Sequence, residues 1–295
     1  AGTYRESIEV TKSINIVGAG QRATILVPPS SPPTTQSAFC FDPSSPTEFD
    51  GMCIHGTVDN SGNVVTPVGA VRVSGFGVKN FNGAGVFFFG ATSPHADHDT
   101  FAGNSDYGVV AFASTDDVYD TNIANFNGEA GLYVGDSPHA NATVVNNVAN
   151  NNAEFGIFVR DATGPGTVSN NIARGNCGGI LFLNTGANPS DWQASGNVAS
   201  SNNAICAGGG GPTAGGVGIG VIGVNNVSVT DNLIRNNAAP ATITGGVVVA
   251  SDASNTTVTG NILAKNGPDI LWDGTGTANT FTANRCHTSV PAGLC

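Results

Sequence analysis

Asn122-Ile-Ala-Asn-Phe-Asn127 is followed by Asn147-Val-Ala-Asn-Asn-Asn152 and then by Asn171-Ile-Ala-Arg-Gly-Asn176, and this recurrence decides the fold. Outward from it, Asp99-Thr-Phe-Ala-Gly-Asn104 is an earlier copy. Asn197-Val-Ala-Ser-Ser-Asn202 and Asn261-Ile-Leu-Ala-Lys-Asn266 are later ones. Asn232-Leu-Ile-Arg-Asn236 reads as a copy one residue short, Gly77-Val-Lys-Asn-Phe-Asn82 as a degenerate first copy, and Asn284 as the opening of an unfinished last one. The leading positions are 22, 23, 25, 24, 26, 35, 29 and 23 residues apart. A period in that range marks a solenoid.

Each phrase is followed by a glycine and an apolar run, such as Gly85-Val-Phe-Phe-Phe89, Gly108-Val-Val-Ala-Phe112, Gly131-Leu-Tyr-Val134, Gly156-Ile-Phe-Val159 and Gly179-Ile-Leu-Phe-Leu183. Each is preceded by a second short strand, such as Thr143-Val-Val145 or Thr256-Thr-Val-Thr259. One turn therefore reads as strand, Asn-bounded corner, strand and Gly/Asp/Ser-rich turn, with no helical periodicity. Two dozen residues at roughly 3.3 Å each make one coil of a parallel β-helix. Stacked asparagines explain themselves there: Asn tolerates left-handed corner conformations, and inward amides can hydrogen-bond their copies one coil away. The expectation is an all-β, right-handed parallel β-helix of about ten coils, forming a single domain over 1–295.

Composition agrees. Forty-one glycines and 11 % charged residues suit a corner-rich β architecture, and 40 % hydrophobic residues argue against disorder. The net charge is −11 with only ten Lys and Arg, so the basic stripe that nucleic acid requires is missing and anionic membrane surfaces would repel the chain. No run of eighteen apolar residues offers a membrane span. Six cysteines fall as local couples, Cys40/Cys53, Cys177/Cys206 and Cys286/Cys295, without metal-type spacing. Three disulfides and an extracellular, secreted chain are expected. The start, Ala1-Gly-Thr-Tyr4, reads as a processed or trimmed product. Asn141-Ala-Thr143, Asn226-Val-Ser228 and Asn255-Thr-Thr257 are glycosylation sequons.

Three stretches break the period. Residues 28–70 form a Pro/Ser-rich excursion held by Cys40 and Cys53, expected to pack outside the early coils. Residues 204–217 are a Gly-rich insertion, and 268–295 close the solenoid around Trp272. Gly2-Thr-Tyr-Arg-Glu-Ser7, followed by Thr11-Lys-Ser-Ile-Asn-Ile-Val-Gly-Ala-Gly20, resembles the opening of right-handed parallel β-helix proteins of the pectin-lyase-like superfamily, including uncharacterised secreted bacterial members. In that group a short capping helix usually precedes this opening. The resemblance implies the fold across nearly the whole chain. For function it implies a range, from lyases, hydrolases, esterases and epimerases to non-catalytic adhesins.

Aligning the coils on the strand glycine puts Val86/Val109/Leu132/Ile157/Ile180 and Phe88/Ala111/Val134/Val159/Phe182 in the core. Alternation sends Phe87/Val110/Tyr133/Phe158/Leu181 and Phe89/Phe112/Gly135/Arg160/Leu183 outward. So apolar an outer row calls for cover by the 28–70 excursion, by a second copy of the chain, or by sugar rings stacked on an aromatic platform that includes Tyr133 and Phe158. Asp136, Asp161 and Asn184 follow on successive coils, about 4.8 Å apart, with Arg160 beside Asp161. His95 and His139 lie in identical Ser-Pro-His-Ala phrases, and His98 follows His95 closely. Stacked carboxylates raise one another's pKa or hold a cation.

In pectate-lyase-like enzymes acidic residues in this kind of groove bind Ca²⁺ and an Arg or Lys abstracts a proton from a uronate. The resemblance therefore suggests Asp136, Asp161, Arg160, His95 and His139 as catalytic candidates. It suggests Tyr133, Phe158, Asn184 and His98 for substrate, and Asp136 and Asp161 for Ca²⁺. An Asp pair serves hydrolysis equally well, and turn geometry alone accounts for Asp or Asn after a strand. Asp99 reads as a corner residue, and His55 and His287 as solvated. The function expected is that of a polysaccharide lyase or glycoside hydrolase working along the sheet. The alternative is a non-catalytic module that binds a glycan or assembles through its apolar face.

Overall fold

The computed structural model describes residues 1–40, 48–207 and 213–295. Each coil contains three strands, because the middle of the Asn phrase is itself a strand: Ile123–Asn125, then Leu132–Ser137, then Thr143–Val145. Equivalent strands pair in parallel from coil to coil and build three sheets of ten, eleven and ten strands, here the first, second and third sheet in that order along the coil. The pairing is in register over most of its length, so Val86, Val109, Leu132, Ile157 and Ile180 stand in one file. Those residues and their i+2 neighbours are buried as expected. No helix occurs among the described residues.

Two asparagine ladders flank the first sheet. Asn122 N–H donates to Asn147 Oδ1 at 2.9 Å, Asn147 to Asn171 at 2.9 Å and Asn171 to Asn197 at 2.9 Å, while Asn171 Nδ2 reaches back to Val144 O at 2.8 Å. The second ladder repeats this through Asn104, Asn127, Asn152, Asn176, Asn202, Asn237 and Asn266, and ends on Asp269. Each side-chain amide thus satisfies a buried N–H and a buried C=O of the preceding coil, and its Nδ2 continues the ladder. The ladders also explain the strand glycine. A Cβ on Gly131 would stand 2.8 Å from both Asn152 Nδ2 and Gly156 O.

The ladders correct two readings of the repeat. Asn237, not Asn236, takes the amide from Asn202, so the copy opened by Asn232 is full length and Asn236 is only a left-handed corner residue at φ 56°. In the first copy, the N–H groups that meet Asp99 and Asn104 belong to Phe76 and Phe81, so that copy starts at Phe76.

All three cysteine couples form disulfides, with Cα–Cα distances of 5.8, 5.0 and 5.3 Å. The stretch 28–70 is not one excursion. Met52–His55 is a buried strand of the second sheet between Ile8–Val10 and Val86–Phe89. A loop before it and a hairpin, Thr57–Val58 with Val64–Thr66, after it leave the coil. Part of that loop, 41–47, lies outside the described residues, as do 208–212 of the Gly-rich insertion, whose end is already strand Ala214–Ile222. Trp272 packs on the core and on Phe281, with ring centroids 5.8 Å apart, at the closing end.

Candidate functional site

The outer face of the second sheet is apolar along most of its length and is largely covered by its own chain. Phe39 from the loop stacks on Phe87 and Phe89 with centroids at 5.9 and 4.8 Å. Tyr107, from the turn before its strand, and Phe155, which opens its strand, fold over Tyr133 at 5.0 Å and Phe158 at 4.7 Å. An aromatic track therefore runs from Phe39 through Phe87, Phe112 and Tyr133 to Phe158. It continues into an apolar cleft of about 320 Å³ between Phe155, Phe158, Leu183, Ile222 and Ile243.

Asp136, Asp161 and Asn184 do stand in a file, one residue past the register positions Gly135, Arg160 and Leu183. Both aspartates adopt left-handed backbone, φ 48° and 49°, as does Ala113 one coil earlier at 48°. The position is first a corner. Asn184 serves that corner: its Oδ1 accepts the Gly186 N–H at 2.7 Å and its Nδ2 donates to Gly223 O at 3.0 Å.

The two carboxyls are nevertheless unlike. Burial pushes Asp161 up, but the N–H of Thr185 at 2.7 Å, the Thr185 hydroxyl and Arg160 outweigh it and hold the group below the usual range. Asp136 is raised, by burial first and by the charge of Asp161, with Arg160 opposing. Arg160 Nε lies 3.4 Å from Asp161 Oδ2, and the Arg160 side chain is 41 % exposed. Tyr133 is kept protonated by burial. Tyr133 Oη and Arg160 Nε are both buried atoms without a well-aligned hydrogen-bond partner. Beside them Asp136, Pro138, Asp161, Thr163 and Ala187 line an open cleft of about 290 Å³. As a calcium site the pair is already served by one cation, Arg160, and Asp161 is engaged by Thr185.

The structure separates the histidines from this cleft. His95 opens a strand of the third sheet, and its coil equivalent two coils on is Thr143, four residues past His139. The two Ser-Pro-His phrases are therefore out of register, and His139 lies exposed in the turn after Pro138. His95 and His98 instead surround Asp97. That carboxylate accepts Arg72 Nε and Nη2 at 2.7 Å each and Ser74 Oγ at 3.0 Å, and it pairs with His98 Nδ1 at 2.8 Å. Burial alone would raise Asp97, but these partners drive it down to about 2. His55, expected in solvent, is buried between Gly56 O and Glu9. His287 is exposed.

Sequence reasoning missed a second acidic row. Asp106, Glu129 and Glu154 stand on successive coils, linked by backbone bonds of 3.0 Å, and Glu48 and Asp50 extend the row from the loop. Glu48, Asp50 and Asp106, with Phe39, Phe87, Tyr107 and Phe112, wall a cleft of about 400 Å³. Burial raises Asp50 and Asp106 to about 7, helped at Asp106 by Glu129. The signal was present: an acidic residue two positions before the strand glycine in three consecutive copies.

Residues 37–205 match the model of the right-handed β-helix region, more than half of the chain. The chain belongs to the right-handed β-helix family. A comparison with curated proteins finds no match. Among solved structures this β-helix is similar to the A-module of the mannuronan C-5 epimerase AlgE6 of Azotobacter vinelandii, with 18 % identity and a TM-score of 0.56, covering 92 % of this chain and 69 % of that one. It is also similar to the DFA-IIIase of Arthrobacter chlorophenolicus A6 in complex with GF2, with 12 % identity, a TM-score of 0.58 and coverage of 97 % and 82 %. The Dettilon tailspike protein gp208 gives 12 %, 0.56, and 97 % against 61 %. At these identities the likeness is one of fold, and function has to be argued from the site.

Proposed function

We propose that this β-helix is a secreted enzyme acting on an acidic polysaccharide in the groove of the second sheet, by removing the proton next to a uronate carboxylate. The observation that carries this reading is the convergence of Arg160 and the buried Tyr133 Oη on two carboxyls shifted in opposite directions, Asp136 up and Asp161 down. Proton abstraction beside a carboxylate needs a base, a cation to take up the charge that develops on that carboxylate, and a proton donor. Asp136 is the base, Arg160 the cation and Tyr133 the donor. The C5–H proton passes to Asp136. The electron pair then either expels the C4 oxygen, protonated by Tyr133, or recaptures a proton on the opposite face of C5. The first outcome is elimination and the second epimerisation. Neighbours whose names include mannuronan C-5 epimerase fit this reading, and three disulfides fit secretion.

The test is incubation with uronate polysaccharides, followed by absorbance of unsaturated uronate and by NMR of C5 configuration. Wild type should give one of the two signals and Arg160→Gln neither. Absence of both signals across polyuronates removes the proposal. Glycoside hydrolysis is the second reading. It is favoured by the cleft where Asp50 and Asp106, both at about 7, face aromatic walls. A carboxyl protonated near neutrality can act as general acid, and new reducing ends without unsaturation would select this reading.

A further inference from the structure

Where the loop after residue 28 rejoins the solenoid, four metal-binding side chains converge away from Asp136, Asp161 and Arg160. Alternation along Met52–His55 puts Cys53 and His55 on the outer face, and the register places Glu9 of the preceding coil beside Cys53. Cys40 reaches them from the loop. The sulfurs of Cys40 and Cys53 and a ring nitrogen of His55 all lie within 4.8 Å of one another, and all three residues are buried. Glu9 Oε1 is 2.9 Å from His55 Nε2. On the other side of the ring, Gly56 O is 2.6 Å from Nδ1. That carbonyl accepts the Nδ1 proton, the usual arrangement behind a metal-bound imidazole, and a metal entering at Nε2 takes the place of the proton shared with Glu9. The Phe39 ring, 4.8 Å from the His55 ring, limits access of water.

We propose that Cys40, Cys53, His55 and Glu9 form a Zn²⁺ site in the reduced protein, of which the Cys40–Cys53 disulfide is the oxidised, metal-free state. Tetrahedral zinc with bonds of about 2.0–2.3 Å places its ligands roughly 3.3–3.8 Å apart, a spacing the cluster reaches once the sulfurs separate. A reductant of the thiol or phosphine class supplies two electrons and the S–S bond opens to two thiols. Zn²⁺ displaces their two protons and the one shared between His55 Nε2 and Glu9, and is held by two thiolates, the imidazole and the carboxylate. Reoxidation by a disulfide removes two electrons from the sulfurs, re-forms the bond and releases zinc unchanged in oxidation state. Among the described residues neither of the other two disulfides gathers such a set, although His287 follows Cys286 directly.

The full chain reduced with a phosphine, desalted without oxygen and titrated with Co²⁺ should bind one ion, with intense thiolate charge-transfer absorption that equimolar Zn²⁺ abolishes. The oxidised chain should show none. His55→Gln should weaken binding about tenfold or more, and Cys177→Ser with Cys206→Ser should leave it in place. No cobalt uptake, or uptake indifferent to His55→Gln, overturns the site. Loss of fold on reduction is covered by alkylation mapped by mass spectrometry. Zinc should protect Cys40 and Cys53 and spare none of the other four cysteines, and uniform alkylation counts against the proposal.

Discussion

Asp99 Oδ1 accepts the N–H of Phe76 at 2.7 Å, in a file where every later coil carries asparagine. Its other oxygen is buried without a partner, and burial raises the group to about 8. Asp99 is thus a neutral acid standing in for an amide. One coil on, the Asn122 amide donates to Ala96 O at 2.8 Å, and Ala96 pairs in register with Val73. An amide at 99 would meet Val73 O in the same way. Asp99→Asn is therefore expected to stabilise the protein. The folded state binds this proton more tightly than the unfolded one, so the stability it contributes is complete below about pH 4 and is lost as pH rises through about 8. The gain from Asp99→Asn should be smallest at pH 4 and largest above pH 8, as thermal unfolding at several pH values would read. An equal shift at all pH values would contradict it.

The ladders predict a second contrast. Asn171 accepts from Asn147 N–H and Nδ2 and donates to Val144 O and Asn197 Oδ1. Asn171→Ala strands a buried backbone donor and a buried acceptor at about 1–3 kcal/mol each. Denaturant unfolding should show a loss of about 3 kcal/mol or more. Asn63→Ala, in the exposed hairpin turn, should cost under about 0.5 kcal/mol.

Why the ladders were legible and the groove was not comes down to period. Asn147 and Asn171 obey a constraint that every coil repeats, and repetition is visible in one sequence. Phe39 and Phe87, 5.9 Å apart, meet only because a non-repeating loop folds back across the sheet. The same holds for His95 and His139, which share a four-residue phrase yet sit at different points of their coils, since turn lengths between the second and third sheets vary. The Asp136–Asp161 file was readable from strand register. The opposed shifts of its two carboxyls come from Thr185 and from burial, which the repeat does not encode.

Phe39 gives the third prediction. Its ring covers His55, Phe87 and Phe89 at 4.8, 5.9 and 4.8 Å. Phe39→Ala should uncover an apolar patch at the N-terminal end of the track. Binding of a hydrophobic dye should rise and Tm should fall by several degrees, as about 3 kcal/mol or less is lost from a half-buried aromatic. Unchanged dye binding would mean that the loop does not seal this face.

Arg160 sets the cation chemistry of the cleft. Its charge acts on both Asp136 and Asp161, so a calcium ion entering between them meets like charge. A unit charge at about 4 Å costs roughly 1 kcal/mol in water and about 4 kcal/mol near a protein surface. Turnover by the wild type should therefore survive a calcium chelator. Arg160→Gln should bind Ca²⁺ at least about fivefold more tightly by calorimetry, with no recovery of activity, because the charge next to the substrate carboxylate is gone. Chelator-sensitive turnover in the wild type, or equal calcium affinity in the two proteins, would transfer the role of the cation from Arg160 to a bound metal.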